Sequence, residues 1–130
     1  MRARGLVLST IAFPVMCAML SAHHSTVAYS EKPVVLKNAT IAKVLWASPH
    51  IVLTFNVKDS GTVSGWSVET GSPGSVARVG WNRNSVKPDD KVTIELYPAR
   101  NGAQVGRLKR VIFPDGRELV DTQNPTSLKK

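Results

Sequence analysis

The chain has 130 residues, enough for one domain. It carries 17 Lys and Arg against 9 Asp and Glu, a net charge of +8, and a single cysteine, Cys17. That charge attracts anions, while one lone thiol excludes a disulfide framework and a cysteine-built structural zinc site.

The N-terminal segment differs from the rest. Met1-Arg-Ala-Arg4 is a short cationic start, and Gly5 to Leu20 is uncharged and mostly apolar. Such a run suits the apolar core of a secretory signal and falls short of the ~20 residues of a membrane-spanning helix. Small residues at Ser21 and Ala22 offer a cleavage site. Residues 1–22 are therefore expected to be a cleavable signal, the product periplasmic or secreted, and not an integral membrane protein. Retention as an N-terminal anchor is the alternative. A lipoprotein made through Cys17 fits less well, because Met16 stands where a small residue is needed.

Cleavage after Ala22 leaves residues 23–130, with 15 basic and 9 acidic residues, a charge of +6 and no thiol. Outside the cytoplasm such a charge meets phospholipid head groups, lipopolysaccharide or acidic polymers, and no nucleic-acid partner is expected. The basic residues are spread along the chain, which also suits a merely solubilising surface.

Residues 23–35 read as an N-terminal arm. The first strand is expected over Ala39–Trp46, with Ala42, Val44 and Trp46 on one face. The second, His50–Val57, alternates cleanly, with Ile51, Leu53, Phe55 and Val57 inward. Lys58-Asp-Ser-Gly61 is turn chemistry. Val63–Thr70 follows as the third strand, with Trp66 and Val68 on one face. Gly71-Ser-Pro-Gly74 breaks the pattern, with Ser72 a helix cap and Pro73 a first helical residue. A short helix is expected over Ser75–Val79, stopped by Gly80, with Trp81 plugging the core. After the turn at Lys87–Asp90, Lys91–Tyr97 points Val92, Ile94 and Leu96 inward. A hairpin of Arg107–Phe113 and Arg117–Val120 completes a domain spanning 36–120, and residues 121–130 read as a loose tail.

Five or six short strands with one helix after the third predict an all-β chain, a small OB-like Greek-key β-barrel. An SH3-like barrel or an open β-sandwich is the competing architecture.

Several short motifs occur in a set order: Ala22-His-His-Ser25, Val44-Leu-Trp46 with Ser48-Pro-His50, Gly71-Ser-Pro73 followed by Arg78-Val-Gly-Trp81, and Ser85-Val-Lys-Pro-Asp-Asp-Lys-Val92. From His23 to Leu119 the chain thereby resembles the small exported bacterial proteins grouped as DUF6152. The resemblance implies an OB-like barrel in the periplasm, and brings no established activity or catalytic residues. One departure is Asp89, where that pattern leads one to expect Gly.

Three constellations could carry chemistry. His23 and His24 stand at the expected new N-terminus, and His50 is the third histidine. An α-amine and imidazoles supply the tetragonal nitrogen set that suits Cu(II). A cut after Ser21 or Leu20 still leaves a histidine at position three, able to hold Cu(II) or Ni(II). Against this, histidines in a terminal arm often do nothing, and His50 can simply bond a loop carbonyl. Second, the turn at Gly71 and Ser72, with Arg78 and Arg83, could hold a carboxylate or phosphate at a helix start; ordinary capping is the simpler account. Third, Trp46, Trp66 and Trp81 could stack sugars on a barrel face, or pack the core.

No Gly-x-Ser-x-Gly elbow is present, and Glu69 has no evident partner carboxylate. The expectation is thus a binding module without catalysis, its ligand unknown or copper as cofactor. The rival expectation is an envelope structural or interaction module that holds an anionic partner on its basic surface. A copper oxidoreductase is the remaining idea.

Overall fold

The computed structural model describes residues 28–122. Six strands and one helix follow in order: β1 (Val34–Leu45), β2 (Val52–Asp59), β3 (Thr62–Glu69), α1 (Pro73–Ala77), β4 (Lys91–Pro98), β5 (Val105–Ile112) and β6 (Glu118–Val120). The expected signal segment, residues 23–27 of the arm and the tail from 123 onward lie outside the described residues.

Neighbouring strands run antiparallel in the order β3-β2-β1-β4-β5-β6, and β5 also pairs in parallel with β3. That last pairing closes β1-β2-β3-β5-β4 into a five-stranded barrel with the helix between the third and fourth strands, the OB-like arrangement. Closure rules out the open sandwich. β6 adds only to the end of β5.

Sequence dictates most of this locally. Ile51 just before β2, and Leu53, Phe55 and Val57 within it, are buried, while Thr54 and Asn56 turn outward. The β2–β3 loop is just Ser60-Gly61, with φ of 45° and 87°. Two positive φ angles are what a tight hairpin needs to match strand twist, and Gly61 adopts its angle without steric cost. β4 buries Val92, Ile94 and Leu96 as expected.

β1 begins five residues earlier than its expected start and bends at two bulges, one between Leu36 and Ala39 and one between Ile41 and Lys43. The second shifts the face: Ala39 and Ile41 are buried, and Ala42 is exposed instead of sharing the face of Val44 and Trp46. An extra residue breaks the two-residue period. These bends let β1 pair with β4 along its first half and with β2 along its second.

α1 is capped by Ser72, whose hydroxyl accepts from the Ser75 N–H at 3.2 Å, and Val76 is fully buried. Trp81 is buried as expected and donates from Nε1 to the Val120 carbonyl at 3.0 Å. Asp89 has φ of 72°. Its turn therefore takes the left-handed shape that glycine favours and that Asp tolerates.

Glu95 lies on β4 among apolar neighbours and is only 6% exposed. Lys109 donates to it at 2.8 Å, and Arg110 bridges it to Glu118. Burial pushes the Glu95 carboxyl up, but the hydrogen bonds and charges of Lys109 and Arg110 outweigh this and hold it below its usual range. A depressed carboxylate pKa adds stability above its unfolded value of about 4.3 and loses it as pH falls through the folded value. Glu95→Gln is expected to lower unfolding free energy at neutral pH by about 1–3 kcal/mol and to flatten its fall below about pH 4.3, measured by denaturant titration across pH.

The closing strand contact requires Gly106. It faces Val68 across the parallel pairing, and a Cβ there would sit 2.7 Å from Leu96 Cδ1 and 2.8 Å from the Tyr97 carbonyl oxygen. The backbone oxygen cannot step aside without moving β4. Gly106→Ala is expected to cost about 1–3 kcal/mol and to speed amide exchange in β3 and β5; unchanged melting would contradict this account.

Candidate functional site

His50 sits half-buried just before β2, where Pro49 ends the preceding loop. Its Nδ1 is 3.0 Å from the Thr70 carbonyl oxygen. A carbonyl only accepts, so Nδ1 carries the proton and the lone pair of the neutral ring lies on Nε2. This is the bond to a loop carbonyl that the simpler reading of His50 expected. Of the three candidate ligands, His23 and His24 lie outside the described residues. Among the described residues no three His, Cys, Asp or Glu side chains cluster to hold a metal.

The described chain starts on the barrel wall beside the same strand end. Tyr29 forms a bridge with Ala99, the Ser30 N–H donates to the Pro98 carbonyl, and the Arg100 N–H donates to the Ala28 carbonyl. The Tyr29 hydroxyl donates to Glu69 Oε1 at 3.0 Å, one residue before the carbonyl that holds His50. From Ala28 onward the arm is therefore held against the barrel. Burial, then the hydrogen bond to Glu69 and its negative charge, push the Tyr29 phenol up to about 12, while Arg107 pulls the other way.

Below Thr70 lies a buried polar hub. Asp121 is fully buried, and its Oδ1 accepts from the Thr70 hydroxyl at 2.7 Å and the Gly71 N–H at 3.0 Å. Its own N–H donates to the Lys109 carbonyl at 3.0 Å. Asp121 thus belongs to the domain, a correction to the reading that placed it in a loose tail. The apparent polarity of Asp121-Thr122 is absorbed by partners 47 to 51 residues away.

This hub also changes the expected anion site. The Gly71 N–H is taken by Asp121, Pro73 has no N–H, and the N–H groups of Ser75 and Val76 donate to the Ser72 hydroxyl and carbonyl. Gly71 is buried, while Arg78 and Arg83 are exposed beyond the helix. The turn is consumed by its own cap and has few donors left for an anion.

The three tryptophans divide. Trp81 is in the core, so it is no stacking platform. Trp46 and Trp66 are half-buried against the core, and Trp66 stands opposite Phe55. Alternation alone could not separate these roles, because a strand near a barrel end has one face only partly covered.

A groove of about 630 Å³ opens elsewhere, between the β2–β3 hairpin, the bulge of β1, the start of β4 and the end of β5. Lys58 and Lys91 line it, with Asn38, Thr40 and Thr93, and Phe113 at one side. None of its lining residues is acidic.

The family described as a family of unknown function, DUF6152, matches residues 12–109. This chain belongs to that family. No curated protein and no solved structure matches it. The DUF6152 match takes in the strands from β1 to most of β5 and begins within the segment read as a signal. Among the described residues of this DUF6152 member, no helix is long and apolar enough to cross a membrane.

Sequence reading passed over Tyr29, Asp121 and the groove. Tyr29 lies in an irregular segment without periodicity, and Asp121 follows the last strand in a polar run. Replacing Tyr29 by Phe is expected to speed amide exchange at Ser30 and Arg100 about fivefold, because a half-buried hydrogen bond is lost. Alkaline titration of phenolate absorbance should show a step near pH 12 that this variant lacks. A raised phenol pKa stabilises the fold below the unfolded value of about 10 and ceases to do so as pH rises through 12.

Proposed function

We propose that this protein is a small exported binding module, without catalysis of its own, whose ligand is Cu(II) held by His23, His24 and His50. The reading rests on the set of three histidines, two of them at the expected new N-terminus. The bond of His50 Nδ1 to the Thr70 carbonyl at 3.0 Å, which a histidine without a ligand also makes, is compatible with it because Nε2 is left outside that bond. The anchoring of Tyr29 on Glu69 supports it further. It brings the chain to within one residue of Thr70 in sequence, five residues after His24. Nitrogen ligands without thiolate favour copper or nickel over zinc.

The rival reading, an envelope module that binds an anion at Gly71, Ser72, Arg78 and Arg83, draws less support. The cap of α1 already uses the donors of that turn.

Native mass spectrometry of untagged protein purified from the periplasm tests the proposal. The expected result is a chain beginning at His23 with one copper bound. In competition with a chelator, His50→Ala is expected to lower copper affinity at least about tenfold. Unchanged affinity in that variant would show that the amine and one N-terminal imidazole act alone, and the three-histidine site would be abandoned.

A further inference from the structure

The groove at the β2–β3 hairpin lies apart from His50 and from the turn at Gly71. Registers define its walls. Thr40 of β1 faces Lys91 of β4, and Ala39 faces Val57, the residue before Lys58. The two lysines thus rise from the strands on either side of β1, about 10 Å apart at the backbone for two strand spacings. Both are exposed, and neither has a salt-bridge partner among the described residues. The acidic residues beside them in sequence make no salt bridge with them. Asp59 accepts from the Ser60 hydroxyl at 3.2 Å, and Asp90 accepts from the Lys87 N–H at 2.8 Å.

The remaining lining is hydroxyl-bearing and partly apolar. Thr40, Thr93 and Ser60 offer hydroxyls, while Phe113 belongs to the core and its ring face is covered by Arg117 at 4.1 Å. A volume of about 630 Å³ suits one small molecule. Lysine ammonium groups act as point charges able to hold an anionic group such as phosphate. Hydroxyl groups that both donate and accept suit a polyol.

We propose that this groove binds a phosphorylated monosaccharide, with Lys58 and Lys91 holding the phosphate and Thr40, Thr93 and Ser60 facing the sugar hydroxyls. The site is independent of copper. It accounts for two exposed lysines without salt-bridge partners among the described residues beside a hydroxyl-lined hollow.

The test is titration of the exported chain with glucose 1-phosphate, followed by amide chemical shifts and calorimetry. Saturable shifts are expected around Lys58, Lys91 and Thr93, and few at Arg78 or His50. Lys58→Met and Lys91→Met keep the aliphatic stem and should each weaken binding about tenfold without changing the melting temperature, and added salt should weaken it too. Thr93→Val should weaken glucose 1-phosphate but not inorganic phosphate. Equal binding of inorganic phosphate and the sugar phosphate would overturn the sugar part of the assignment. Absence of shifts in the groove, or binding indifferent to both lysine variants, would overturn the site.

Discussion

The parallel pairing of Ser67–Glu69 with Val105–Arg107 is the contact on which this architecture rests. Without it the chain is an open sheet with two edges and a core exposed along one side. With it, β3 and β5 lose their free edges and the inward residues of five strands enclose one cluster from Ala39 to Leu119. The pairing joins segments almost forty residues apart, so it forms only when the intervening helix, loop and β4 are in place. Gly106 is where this closure is tightest, since β5 lies close against the Tyr97 backbone there.

Closure also decides what the surface can do. It carries Glu69 and Thr70 to the rim where the N-terminal segment is fastened, so that Tyr29 and His50 engage neighbouring residues of one strand end. It lets Asp121, at the far end of the chain, accept from Thr70 and Gly71 and fasten the start of the helix. The barrel is therefore tied at both ends of the described chain by polar bonds to one run of consecutive residues, Glu69 from the N-terminal side and Thr70 and Gly71 from the C-terminal side. Away from that rim, the bends of β1 and the short β2–β3 hairpin leave a basic hollow that the helix does not reach.

The polar groups inside the fold follow a consistent rule. Glu95 is buried but answered by two cations, and Asp121 is buried but answered through one oxygen by a hydroxyl and an amide. The second oxygen of Asp121 and Nε of Arg107 are enclosed without a protein partner. Buried groups of this kind are ordinarily met by ordered water.

The sequence by itself determined the strand identities, the capped helix and the barrel class. Alternation at Ile51, Leu53, Phe55 and Val57, the Ser60-Gly61 turn and the Ser72-Pro73 start are local signals, written in side-chain period and backbone preference. It also marked His50 and the family motifs. Only tertiary structure decided the bulges of β1, because an extra residue is invisible until a partner strand sets the register. Only it separated Trp81 in the core from Trp46 and Trp66 at its margin, and joined Asp121 to Thr70 and Tyr29 to Glu69. Such contacts depend on the closing of loops dozens of residues long. No local pattern records which distant group will satisfy a buried donor or acceptor.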